Sequence, residues 1–276
     1  MALSDIFLLE FAQRALSIGF LVSFVAGILG GYVVAGRHAV FSDMLAHTSL
    51  AGVGIGIFFG FSPTNGALAV SFLSAFFLWL FLRKEKFAPE SITMVLLSGG
   101  LALALVFAHL AKDNPLSLET FLFGSVLTVR PEEIVQFFLV SLSILAFILF
   151  FGRRLRTIVL DPEYAGIRFP FSKWVNLIFL LSVGLFVGFS LKIVGGLLIG
   201  ALLVIPIVTA QIFSRSFQQT LFFGIIFNIL ATFFGIILSF YLDVPTGASI
   251  VLVLIGQLVA VFLGKNFIFF FGKKFL

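Results

Sequence analysis

Nine stretches of this chain run with almost no charge, at roughly 12–35, 38–60, 66–82, 92–111, 133–151, 174–190, 194–213, 217–241 and 247–264. Runs of about 20 apolar residues are what an α-helix needs to cross the ~30 Å hydrocarbon core of a bilayer. A lone strand cannot satisfy its backbone polar groups in lipid, so each run is expected to be a helix. Composition agrees. Of 276 residues 61% are hydrophobic and 11% charged, 40 are phenylalanine, and the mean hydropathy is +1.23. A soluble domain is about half apolar and a quarter charged. The expected fold is therefore all-α: one polytopic membrane domain over residues 1–276 with eight or nine transmembrane helices.

The chain has no cysteine, which excludes disulfides and thiolate metal sites. The N-terminal "MALSDIFLLEFAQRALSIGF" has neither a basic n-region nor a small-residue cleavage site, so no removable signal peptide is expected. The net charge of +5 reflects loop residues rather than a nucleic-acid surface. With nine spans, one side holds Arg37, Arg83, Lys84, Lys86, Arg153, Arg154, Arg156, Arg168, Lys173, Arg215, Lys265, Lys273 and Lys274. The other side holds Arg14, Lys112, Arg130 and Lys192. The positive-inside rule then puts the N-terminus outside and the C-terminus in the cytoplasm.

Two connections carry signal. The outer loop 112–132 contains "LETFLFGSVLTV", too short to span, and an interfacial or re-entrant segment is expected. The inner loop 152–173 is the most charged part of the chain. A short amphipathic helix is expected near Asp161 to Arg168, either resting among anionic lipids or meeting a cytoplasmic partner. No internal repeat is legible.

Asp43 and His47 stand out in the second apolar run. Four residues apart, they share one helix face, which continues through Leu50, Ala51 and Gly54. Gly52 and Gly56 add a small-xxx-small pair beside it. A carboxylate at the centre of an inserted helix costs on the order of 2.5–3.5 kcal/mol. Three roles fit the pair. Asp43 can cap a later-starting helix, with His47 a satisfied core residue. The two can relay protons. Or they can ligate a divalent cation through imidazole nitrogen and carboxylate oxygen. Two ligands make a weak site, which a homodimer with a central two-fold axis would double. His38 reads as an interfacial contact beside Arg37. His109, near Asp113, reads as a solvated helix end, with a part in an entry gate as the alternative, and Asp243 either attracts cations or leads into a turn at Pro245.

Five separated stretches together resemble one family: "FSDMLAHTSLAGVGIG", "LFGSVLTV", "DPEYAGIR", "VGGLLIGALLVIPIVTAQIF" and "DVPTGASIVLV". The chain resembles the membrane permeases of ABC-type zinc/manganese/iron importers over nearly its whole length. The resemblance implies a homodimeric permease of the plasma membrane, two cytoplasmic ATPase subunits and an extracytoplasmic metal-binding receptor. It implies that Asp43 and His47 contact the ion in transit, with zinc or manganese as cargo and no intrinsic cofactor. It further suggests that "LVIPIVTAQIFSRS" docks on the ATPase. Residues 194–205 would then lie in the membrane, and a short helix of about 206–216 would carry Pro206, Gln211 and Arg215 at the cytoplasmic face. The alternative is one continuous helix kinked at Pro206.

The chain carries no G-x-x-x-x-G-K-[ST] motif, so ATP hydrolysis is expected in a separate polypeptide. An intramembrane metalloenzyme would need a third ligand and an acid or base, and no HExxH is present. An ion-coupled secondary carrier and an ABC permease for a metal chelate or vitamin are the remaining alternatives.

Overall fold

The computed structural model describes residues 10–83, 88–111, 118–124 and 131–272. Eleven helices and no strand lie among the described residues. They are α1 (Glu10–Ala35), α2 (Ala39–Phe59), α3 (Pro63–Leu82), α4 (Pro89–Leu110), α5 (Leu118–Phe123), α6 (Pro131–Leu160), α7 (Pro162–Arg168), α8 (Ser172–Val194), α9 (Gly196–Gln211), α10 (Phe217–Leu242) and α11 (Thr246–Gly272). Eight of them, α1–α4, α6, α8, α10 and α11, are long and apolar enough to cross a membrane. The chain is a multi-pass membrane protein.

Burial sorts the helices. Windows of α1, α2 and α8 are mostly buried, whereas α4, α6 and α11 present most of their surface outward. The central helix α2 packs against α3, α4, α8 and α9. Small residues make this closeness possible. A Cβ added to Gly52 would lie 2.1 Å from the Gly66 carbonyl, and one on Gly100 would lie 2.7 Å from Thr48.

Successive helices alternate direction, and contacts fix which connections share an end. At one end Lys192 pairs with Glu133, and the backbones of Gly124 and Gly195 touch. Gly247 lies there too, against the carbonyls of Phe123 and Val194. At the opposite end Trp79 Nε1 donates to the Lys173 carbonyl at 3.2 Å, and the Arg83 guanidinium sits 5.0 Å from the Trp79 ring centre. Lys265 donates there to the Ile212 carbonyl. The described residues of the basic group thus share one end. Lys84, Lys86, Lys112, Asp113, Arg130, Lys273 and Lys274 fall outside the described residues.

The outer segment contains helix α5, six residues long, packed against α2, α8 and α9. The short helix expected near Asp161 to Arg168 is α7. Asp161 caps it, accepting from the Tyr164 N–H at 3.0 Å, and Pro162 occupies its first turn.

Two expected boundaries are corrected. The fifth long helix does not stop at 151. It runs to Leu160, so the first third of the supposed inner loop is helical. Nothing in "GRRLRTIVL" breaks a helix, and the exposed Arg153, Arg154 and Arg156 extend their heads outward while the chain continues to the stop at Pro162. The second correction concerns Pro206. It does not open a separate helix over 206–216. It lies inside α9, which runs unbroken from Gly196 to Gln211. Proline has no N–H to give the Leu202 carbonyl, one turn back. Asn228 Nδ2 of α10 donates to that carbonyl instead, at 2.9 Å, so α9 need not break.

Candidate functional site

The site begins with how α2 starts. His38 occupies its N-cap without a side-chain capping bond, and the first turn has no acidic residue. Asp43 is the fifth residue of the helix, so it is not a cap, and that reading of the sequence is set aside. Ser42, Thr48 and Ser49 bond back to carbonyls of their own helix, which satisfies them locally. Asp43 and His47 differ: both line a cavity of about 430 Å³ between α2 and α9.

The opposite wall is built from small residues. Gly196, Gly200 and Ala201 line it, with Leu197, Val204 and Ile205. Gly200 leaves room for the carboxylate, because a Cβ on it would lie 1.9 Å from Asp43 Oδ1 and the side chain would have to turn away. The carboxylate therefore reaches across to the α9 backbone. Asp43 is exposed on the chain and His47 partly so. His47 Nδ1 is nonetheless buried and has no hydrogen-bond partner. A buried imidazole nitrogen without a partner is costly, which sets His47 apart from the satisfied hydroxyls of its helix. Among the described residues no three His, Asp or Glu side chains converge, so Asp43 and His47 stand as a pair.

The face shared by the pair is shorter than the sequence suggested. Leu50 and Ala51 are buried in the core. Gly54 turns toward α4, where a Cβ would lie 3.1 Å from the Ala104 carbonyl. The other candidates stand apart. His38 rests edge-on against Phe41, and burial holds its imidazole below its ordinary pKa while the Glu90 charge pulls the other way. His109 is exposed at the end of α4. Asp243 caps the C-terminus of α10 in a left-handed conformation with φ 52°. Neither joins the cavity.

Pro206 is buried in α9, while Gln211 and Arg215 are exposed at its end. The turn that carries them is held in place. Its Ile212 carbonyl accepts from Lys265, and the Arg215 N–H donates to Gln219 Oε1 at 2.9 Å. The residues that sequence reasoning missed are the α9 wall, Gly200 above all. The glycine run "VGGLLIG" was the available signal, and it reads as helix packing until its partner is known.

Known proteins resemble this chain along most of its length. It is 32% identical over 236 residues to the high-affinity zinc uptake system membrane protein ZnuB of Buchnera aphidicola subsp. Schizaphis graminum, covering 85% of this chain and 90% of the relative. It is 29% identical over 248 residues to a probable iron transport system membrane protein of Haemophilus influenzae, covering 88% and 89%. Among solved structures, a chain of PsaBC from Streptococcus pneumoniae in complex with Fab shares its fold, with a TM-score of 0.77 at 24% identity over 92% of this chain and 91% of that one. Residues 8–265 match the ABC 3 transport family, and with nearly every span inside that match the chain belongs to this family.

Proposed function

We propose that this chain is the membrane-spanning subunit of an ATP-driven importer of a divalent metal ion, with zinc and manganese as the leading cargoes and iron as the third. The observation that carries the reading is the shared cavity of Asp43 and His47 on a buried membrane-crossing helix. Oxygen and imidazole nitrogen suit such ions, and two protein ligands suit brief binding better than storage. Relatives named for zinc and iron uptake support the class of cargo.

The remaining parts rest on the family to which the chain belongs. It has no phosphate-binding motif, so ATP is hydrolysed by another polypeptide, and membership of the ABC 3 transport family supports two cytoplasmic ATPase subunits in that role. An extracytoplasmic receptor delivers the ion. A second permease copy faces the first across the open side of the cavity, where Leu197 is 57% and Val40 43% exposed beside Asp43. The basic end and the C-terminus lie in the cytoplasm and the protein in the plasma membrane. Gln211 and Arg215 then meet the ATPase, and Pro206 belongs to the helix that passes motion inward. The ion pauses at Asp43 and His47 as the dimer alternates between outward- and inward-open states.

The test is cellular uptake in a strain without its own importers, with ATPase and receptor co-expressed. Zinc, manganese and iron are counted by mass spectrometry for wild type, Asp43→Ala and His47→Ala at equal membrane levels. One metal should accumulate, and both variants should lose it. Uptake unchanged in both would refute the assignment of the pathway.

A further inference from the structure

Pro206 leaves one rung out of α9, and the rung is filled from outside the helix. Asn228 is fully buried. Its Nδ2 donates to the Leu202 carbonyl of α9 at 2.9 Å and to the Ser23 carbonyl of α1 at 3.2 Å. One turn along α10, the Thr232 hydroxyl bonds that of Ser23. The three helices nearly touch around this point. A Cβ on Gly30 would lie 2.1 Å from the Leu203 carbonyl, and one on Gly224 would lie 2.4 Å from Ile207 Cδ1. Cavity-lining Gly200, Ala201 and Val204 occupy other positions on the same helix. Helix α9 thus has a pathway face and an anchored face, and the anchor's polar contact sits at the missing rung.

The amide is kept for its donors. Asn228 Oδ1 is buried without any hydrogen-bond partner. A residue retained only for volume would not carry an unpaired acceptor into the membrane. The two accepting carbonyls fix the orientation, since the flipped amide would set oxygen against oxygen.

We propose that Asn228 is a positioning residue for transport: its amide replaces the hydrogen bond that Pro206 removes, so that α9 moves as one rod between the Gln211–Arg215 turn and the cavity wall at Gly200. This rests on the pathway and coupling end proposed above. Without the amide, the Leu202 carbonyl faces hydrocarbon unpaired, and a displacement at Gln211 is absorbed by bending at Pro206.

The test compares wild type, Asn228→Leu, Pro206→Ala and the double variant as permease–ATPase complexes. Two quantities are read: the midpoint of thermal unfolding, and metal ions moved per ATP hydrolysed in proteoliposomes with receptor. Asn228→Leu removes both donated bonds and should lower the midpoint by about 3–6 °C in a chain of this length. It should also lower ions per ATP about tenfold, while hydrolysis continues. In the double variant, Pro206→Ala restores a backbone N–H that can bond the Leu202 carbonyl, so both quantities should recover by half or more. An unchanged midpoint in Asn228→Leu, or a double variant no better than the single one, overturns the proposal. So does a midpoint that falls and recovers while ions per ATP never changes, because the amide would then be structural alone. The midpoints need no metal. They decide the hydrogen-bond replacement even if Asp43→Ala transports normally and the pathway reading fails.

Discussion

Gly200 gives the space that Asp43 occupies, and the fit is tight enough to predict what a side chain there would do. A Cβ would fall 1.9 Å from Asp43 Oδ1, so the carboxylate must leave or the helices must part. Gly200→Val should cut the initial rate of metal uptake about tenfold or more at unchanged membrane level, comparable to losing a pathway contact. Rates near wild type would mean that the carboxylate works from another position. His38 allows a separate test. Its pKa lies below the ordinary 6.5 because burial disfavours the charged ring, partly offset by Glu90. The folded protein therefore binds the proton less readily than the unfolded chain, and stability from this group is present above 6.5 and lost as pH falls below it. The thermal midpoint of wild type should drop more between about pH 7 and about pH 5 than that of His38→Gln. Equal drops would assign the sensitivity to other groups. The pair itself was legible, since four-residue spacing on a helix fixes a shared face. The glycine wall was not, because its role depends on contact between Asp43 and Gly200, residues far apart in the chain.

At the scale of elements, the apolar runs were read correctly in number and order, and the errors have physical causes. Hydropathy ends a helix where charge begins, but α6 carries three arginines through its last turns because their long stems reach past the apolar region. Proline suggests a boundary, yet α9 passes through Pro206 because a donor from another helix repairs it, and no local pattern reveals that. Connections obey local rules more closely. Gly195, between α8 and α9, has φ 88° and ψ 150°, a conformation that other residues avoid. A Cβ there would also lie 2.4 Å from the Phe123 carbonyl carbon. Gly195→Ala should destabilise by about 2–4 kcal/mol, strain and close contact together. Gly256, with open space around it in α11, is the control. Gly256→Ala should be neutral or stabilising by up to about 1 kcal/mol from helix propensity. Thermal unfolding of both variants side by side checks the contrast, and equal effects would remove the special status of the α8–α9 link.

For the whole molecule, the decisive surface is the open side of the cavity. Leu197 and Val40 flank a carboxylate that lipid would not tolerate, so a second copy is expected over them. The chain has no cysteine, and a single Leu197→Cys is therefore a clean reporter. Mild oxidation in membranes should yield a cross-linked dimer whose yield falls when transport turns over. No cross-link from Leu197→Cys or Val40→Cys would place the partner copy elsewhere. The fold class follows from hydropathy, but this surface does not, because nothing in one chain's sequence distinguishes a face that meets lipid from one that meets its own twin.

Helix α9 has 16 residues, which makes it about 24 Å long, while the hydrocarbon it sits in is about 30 Å thick. One end of the helix, at Gly195, is buried against Phe123 and Gly124, and the other, at Gln211, is exposed. Water at the exposed end would bring bulk dielectric toward the carboxylate from that side. An ion entering from there would shed its hydration over a distance shorter than the membrane, and the electric field across the bilayer would fall over that same shortened gap. On the proposed pathway, the shortness of one helix would thus reduce how much of the crossing an ion must make dry.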